Sequence, residues 1–168
     1  MSGRRVNRGA DISMTINLQV VAETDGLPSA DELENWLGEV LRSTDSPPAE
    51  VTVRIVGEDE SRELNARFRH KDKATNVLSF PAVTVPGLPA RAAGTLGDLV
   101  ICAPVVAREA TQQGKAVRAH WAHMLVHGTL HLLGFDHLEE AEAQRMEGLE
   151  RQILAGCGFA DPYADSDA

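Results

Sequence analysis

Three histidines, His127, His131 and His137, fall within the stretch HGTLHLLGFDH, at offsets of four and then six and in largely apolar company. In a helix, residues four apart stack one turn above the other, close enough for two imidazoles to reach one ion. The third ring needs the chain to turn back. Gly134, between the second and third histidines, is the residue type that accepts the left-handed backbone such a turn demands. Three neutral imidazoles with a fourth position open make the donor set of a catalytic zinc rather than a structural one, and such donors also take nickel or copper. The competing reading is that the rings only pack, because histidine pairs at helical spacing arise often by chance; the glycine stop and the third histidine favour the metal. His120 and His123 read as polar surface groups or as partners of the ligands. Asp136 reads as a loop acid hydrogen-bonded to a ligand imidazole, in preference to a ligand.

A peptide-cleaving zinc site of the H-E-x-x-H kind needs a glutamate directly after its first histidine as general base. Here that place is Gly128. Neutral imidazoles leave the full charge on a dipositive ion, so the site should favour an anionic substrate, and a phosphodiester suits that field. A second stretch points the same way. ELNARFRHKDKATNVLSFP, from Glu63 to Pro81, ends a helix, crosses a basic turn and enters a strand. On charge alone it reads as a solvated linker. Beside the histidines, Arg69 can pair bidentately with phosphate oxygens and Lys71 and Lys73 offer weaker phosphate contacts.

Periodicity indicates the elements that must hold these groups. Apolar residues alternate from Ile12 to Val20, marking a strand with one buried face. Ser29 and Glu32 form a capping-box pair ahead of Leu33, Trp36, Leu37, Val40 and Leu41, one helical stripe. Val51, Val53 and Ile55 mark a second strand. Asp59 can cap a helix reaching about Phe68, with Leu64 and Phe68 as an apolar pair. TNVLSFP and GDLVICA are short β runs separated by a loop from Pro81 to Gly94. Pro104 opens a helix that ends near Gly114, and a further helix from Val117 to Leu133 carries two of the histidines. A last helix spans Glu139 to Leu154, its core face built from Met146, Leu149, Ile153 and Leu154. The order βαβαββ followed by three helices predicts an α+β single domain over residues 11–160, with a small mixed β-sheet packed with helices. Residues 1–10 read as a flexible leader and 161–168 as an acidic tail. The metal site would lie on a helix of the C-terminal half and its exit loop, a zincin-like arrangement. Pattern alone leaves the strand order open.

At 168 residues and 43% hydrophobic, the chain has room for one proper core. Its formal charge of −9 argues against a general nucleic-acid binder, although Arg54, Arg62, Arg67, Arg69, Lys71 and Lys73 form one basic strip. No run approaches the roughly twenty apolar residues of a membrane span, and no signal-like region follows the charged start. Cys102 and Cys157 lie far apart in apolar company, as thiols of a reducing compartment do. The expected location is the cytoplasm.

The pattern H-G-x-L-H-L-x-G-x-D-H from His127 to His137, together with LN…R-x-K-D-K-x-T-N-V-L-S-F-P and the G-D-L-V-I run, resembles the YbeY family of bacterial metal-dependent endoribonucleases, from about Val51 to Tyr163. The resemblance implies one zinc per chain on His127, His131 and His137. It also implies a functional arginine at Arg69, which follows Phe68 and precedes x-K-D-K. The implied role is single-strand-specific cleavage in maturation of the 16S rRNA 3′ end and in ribosome quality control. Ribosomal RNA, the small ribosomal subunit and other ribosome-assembly proteins would be the partners. Ala74 stands where many relatives carry proline, which should loosen the turn. Two other classes stay open: a zinc metallopeptidase, and a non-catalytic assembly factor of the small subunit whose metal serves only stability.

Overall fold

The computed structural model describes residues 15–22, 24–82, 94–136 and 138–163. Ile12 to Met14 of the first strand, most of the loop after Pro81 and His137 lie outside the described residues, as do the leader and the last residues of the tail. The elements run β1 (Thr15–Val20), α1 (Ala30–Ser43), β2 (Glu50–Val56), α2 (Glu58–Arg69), β3 (Val77–Pro81), β4 (Thr95–Cys102), α3 (Ala103–Gln113), α4 (Val117–Leu132) and α5 (Glu140–Gly156). This is the predicted α+β order.

The four strands lie in the order β1-β2-β4-β3. β1, β2 and β4 are mutually parallel, with Ile16 opposite Val51 and Val53 opposite Leu99, whereas β3 runs antiparallel to β4 with Ser79 opposite Leu99. The period-two alternation divides the sheet between two apolar clusters. Val51, Val53, Ile55, Leu99 and Ile101 pack with the α1 stripe, with Trp121 and Leu125 of α4, and with Met146, Ile153 and Leu154 of α5. Val56, Val100 and Cys102 pack with Leu78, Val105 and partly buried Leu64. The α1 capping box forms as the sequence indicates, Ser29 Oγ accepting from the Glu32 amide and the Glu32 carboxylate from the Ser29 amide. No helix of the described residues is long and apolar enough to cross a membrane.

Two helices depart from simple amphipathic reading. α4 is buried along most of its length because it is packed against α1, α3, α5 and the sheet at once, so it has no solvent-facing polar stripe running along it. In α2 the N-cap is Gly57, one position before Glu58, so Asp59 lies inside the first turn and does not cap it. Phe68 is 48% exposed, and the side chains that α2 buries are polar: Ser61 and Asn65. Ser61 Oγ donates to the Thr75 carbonyl and accepts from the Thr75 amide, and Asn65 Nδ2 donates to the Lys73 carbonyl at 2.8 Å. That inner face therefore bonds the basic turn that follows the helix, and it uses hydrogen bonds where an apolar seam was expected.

Candidate functional site

His127 and His131 stand one turn apart on α4, whose end is shaped as the sequence requires. Gly134 has φ +100, its amide donates to the His131 carbonyl, and the Phe135 amide donates to the Leu130 carbonyl. This pairing closes a helix with a left-handed residue and satisfies its last carbonyls. The same turn delivers the Phe135 carbonyl to His131 Nδ1 at 3.0 Å. His127 Nδ1 lies 2.6 Å from Glu150 Oε2 of α5. Glu150 is fully buried. Burial pushes its carboxyl up, but hydrogen bonds from His123, His127 and Tyr163 prevail and hold it down to about 2.

A carbonyl and an ionised carboxylate can only accept, so each Nδ1 carries its ring's hydrogen and each Nε2 presents a lone pair. The two Nε2 atoms are 3.2 Å apart. Lone pairs that close repel unless a proton or a cation lies between them. Two nitrogens bound to one tetrahedral zinc at about 2.0–2.1 Å stand about 3.3 Å apart, so the spacing fits a shared ion. A ligand histidine whose other nitrogen is bound to a carboxylate or a carbonyl is also the usual outer arrangement of such sites.

A second grouping among the described residues also has the composition to hold a cation: one donor atom each of His123, His127 and Glu150 lie within 4.8 Å of one another. Its closest separation, 2.6 Å between His127 Nδ1 and Glu150 Oε2, is well below the about 3.3 Å of two donors on one zinc. Hydrogen bonding accounts for that geometry better. His123 Nε2 is 3.1 Å from Glu150 Oε1, and the Tyr163 hydroxyl donates to the same oxygen. Burial, and then the carboxylate beside it, push the Tyr163 hydroxyl far above its ordinary range, which keeps it a donor.

His127 and His131 open onto a groove of about 580 Å³ that Asn65, Arg69, Lys71, Lys73 and β3 also line. This is a volume typical of ligand sites, which run to about 300–1,000 Å³. The basic strip sorts into two halves here. Arg54 pairs with Glu60, Arg62 with Asp72 and Arg67 with Glu63. Among the described residues no carboxylate pairs with Arg69, Lys71 or Lys73. Asp72, between the two lysines, is drawn away by Arg62, which holds its carboxyl below the usual range. Arg69 Nη2 donates to the Ser79 carbonyl at 3.0 Å, and its guanidinium lies 5.7 Å from the centre of the Phe80 ring. It is thus anchored at one end and has N–H groups to spare.

Gly128, the position a peptidase gives to its glutamate, packs against the sheet. A β-carbon there would lie 2.8 Å from Leu99 Cδ2 and 3.2 Å from Val77 Cγ2, and the Gly128 carbonyl accepts from Ser79 Oγ. A side chain at this position would enter the core and not the groove. His120 and His123, expected to be surface groups or partners of the ligands, are both buried; the surface alternative fails and His123 is a partner of Glu150. Glu150 and Tyr163 were not singled out from sequence. The available signal was a carboxylate on the apolar stripe of α5, between Met146 and Ile153.

The sequence matches the family described as Endoribonuclease YbeY over residues 19–158. It is similar to proteins named Endoribonuclease YbeY from Halorhodospira halophila (strain DSM 244 / SL1), 59% identical over 82% of this chain and 89% of the relative. A relative of the same name from Stutzerimonas stutzeri (strain A1501) is 55% identical over 86% of this chain and 88% of its own length. The solution structure of TM1509 from Thermotoga maritima shares the fold, with a TM-score of 0.53 and 22% identity over 88% of this chain and 99% of that one. With a family match that spans most of its length and relatives 55% and 59% identical to it, the chain belongs to the YbeY endoribonuclease family.

Proposed function

We propose that the chain is a zinc-dependent endoribonuclease specific for single strands, with the ion held by His127, His131 and His137 and the scissile phosphate held by Arg69. The observation that supports this most is the single groove in which the converging Nε2 atoms meet Arg69, Lys71 and Lys73. When bound, the cation supplies Lewis acidity and makes a nucleophile available at neutral pH. Arg69, steadied by the Ser79 carbonyl and Phe80, offers its free N–H groups to the phosphate and offsets the negative charge that builds there during attack. Lys71 and Lys73 hold flanking phosphates. The single-strand preference is what the family resemblance implies for this groove, which α2, the basic turn, β3 and α4 line together. The substrate is the 3′ end of 16S rRNA, met on the small ribosomal subunit in the cytoplasm during maturation and quality control.

The peptidase alternative lacks its base, and the packing of Gly128 against Leu99 leaves no place for one. The assembly-factor alternative is separated by experiment. His131→Ala, purified without chelator or tag, should contain no stoichiometric metal by elemental analysis and should not cleave single-stranded RNA. Cleavage at the wild-type rate by that metal-free variant overturns the mechanism. Restoration of mature rRNA ends in cells by the same variant favours a binding role over catalysis.

A further inference from the structure

Behind the histidine pair lies a polar network that neither the groove nor the proposed cleavage uses. Glu150 projects from α5 into the interior with both oxygens engaged: Oε2 with His127 Nδ1, and Oε1 with His123 Nε2 and the Tyr163 hydroxyl. A buried carboxylate is costly unless it is paired and hydrogen-bonded, and three donors serve this one. Interior packing of α4 on α5 would be served as well by an apolar side chain, as it is by Met146, Ile153 and Leu154 nearby. The fold also spends effort on bringing Tyr163 there. Asp161 Oδ1 accepts from both the Tyr163 amide and Arg151 Nε, folding the chain back along α5, and the Arg151 guanidinium lies 5.3 Å from the centre of the Tyr163 ring. The ring in turn packs edge-on against His123 at 5.3 Å.

We propose that Glu150 is the positioning residue of the metal centre and Tyr163 its latch. The carboxylate fixes the His127 ring in the one tautomer and orientation that turn Nε2 toward His131, and the tyrosine hydroxyl, with His123, holds the carboxylate in place. The segment after α5 is thereby part of the metal site although it contributes no ligand. This rests on the metal reading given under Proposed function. It adds that the site is completed from a second helix and from the chain beyond it.

The test is zinc affinity, measured on the full chain by competition with a chromophoric chelator, and the visible spectrum of the cobalt-loaded protein. Outer partners of ligand histidines are typically worth roughly 10–100-fold in metal affinity. Glu150→Gln, which keeps the shape and removes the charge, should weaken zinc by that factor and shift the cobalt bands, because His127 becomes a poorer and less fixed donor. Tyr163→Phe, which keeps the ring, should weaken zinc by a smaller factor with the same direction of spectral shift. A structural staple alone would lower the urea midpoint of both variants and leave affinity within twofold and the bands unmoved; that result overturns the proposal. Should Glu150→Gln not fold, Tyr163→Phe decides alone by the same criteria. A wild-type chain that takes up no zinc, or one whose uptake survives both His127→Ala and His131→Ala, defeats the metal reading itself. Uptake that is lost in those variants and unchanged in Glu150→Gln defeats only the positioning role.

Discussion

Arg69 and the histidines differ in what their removal should do, and the difference assigns their roles. Among the described residues the anchors of Arg69 are the Phe68 and Ser79 carbonyls and the Phe80 ring, and none is a histidine. Arg69→Ala should therefore keep its zinc by elemental analysis while losing about 10²–10³-fold in kcat on a single-stranded RNA oligonucleotide, the usual cost of removing a donor that stabilises developing charge. Arg69→Lys should recover little of this, because an ammonium cannot span two phosphate oxygens while also bonding Ser79. Loss of metal in either variant would mean that the arginine supports the ligands and not the substrate. The histidine pair was legible in the sequence because helical spacing alone places His127 above His131. Glu150 was not, because its partner His127 lies 23 residues away on another helix, and local spacing carries no information about which helices meet.

Elements decide how well the groove is formed. The turn from His70 to Asn76 has few apolar contacts of its own and is fixed by the polar inner face of α2, where Asn65 is 3% exposed and bonds the Lys73 carbonyl. Asn65→Ala should cost about 0.5–1.5 kcal/mol, the net contribution of the hydrogen bond that ties the turn to the helix, read as a lowered urea midpoint. It should also raise KM for RNA more than it lowers kcat, since Lys71 and Lys73 lose their fixed placement while the α4 ligands stay put. An unchanged KM would show that the turn is held by other means. The helix and strand sequence was readable from periodicity, and the α1 stripe is buried as expected at Leu33, Trp36, Leu37, Val40 and Leu41. The strand order was not, since alternation says that one face is buried and not which strand lies beside it. One clue was present: Pro81 lacks an amide donor, which suits an edge strand, and β3 is an edge.

Over the whole molecule, a formal charge of −9 has to coexist with a polyanionic substrate. The ion pairs show how: Arg54, Arg62 and Arg67 are neutralised by neighbouring acids, whereas Arg69, Lys71 and Lys73, which pair with no carboxylate among the described residues, line the groove. Electrostatic attraction to naked RNA should then be local and weak, with selectivity supplied by the surface on which the RNA is presented. Binding of single-stranded RNA to the metal-free chain, where cleavage cannot interfere, tests this by its salt dependence. Each phosphate neutralised on a single strand contributes about −0.7 to the slope of log Kobs against log salt, so Arg69, Lys71 and Lys73 together predict a slope of about −2. Replacing any one of them with alanine should reduce the magnitude by about 0.7 with little sequence dependence. A slope near zero would remove the groove from RNA binding. One of about −5 would require a footprint that draws the paired arginines away from their carboxylates, and the acidic bulk of the chain would then be no barrier to a broad nucleic-acid interface.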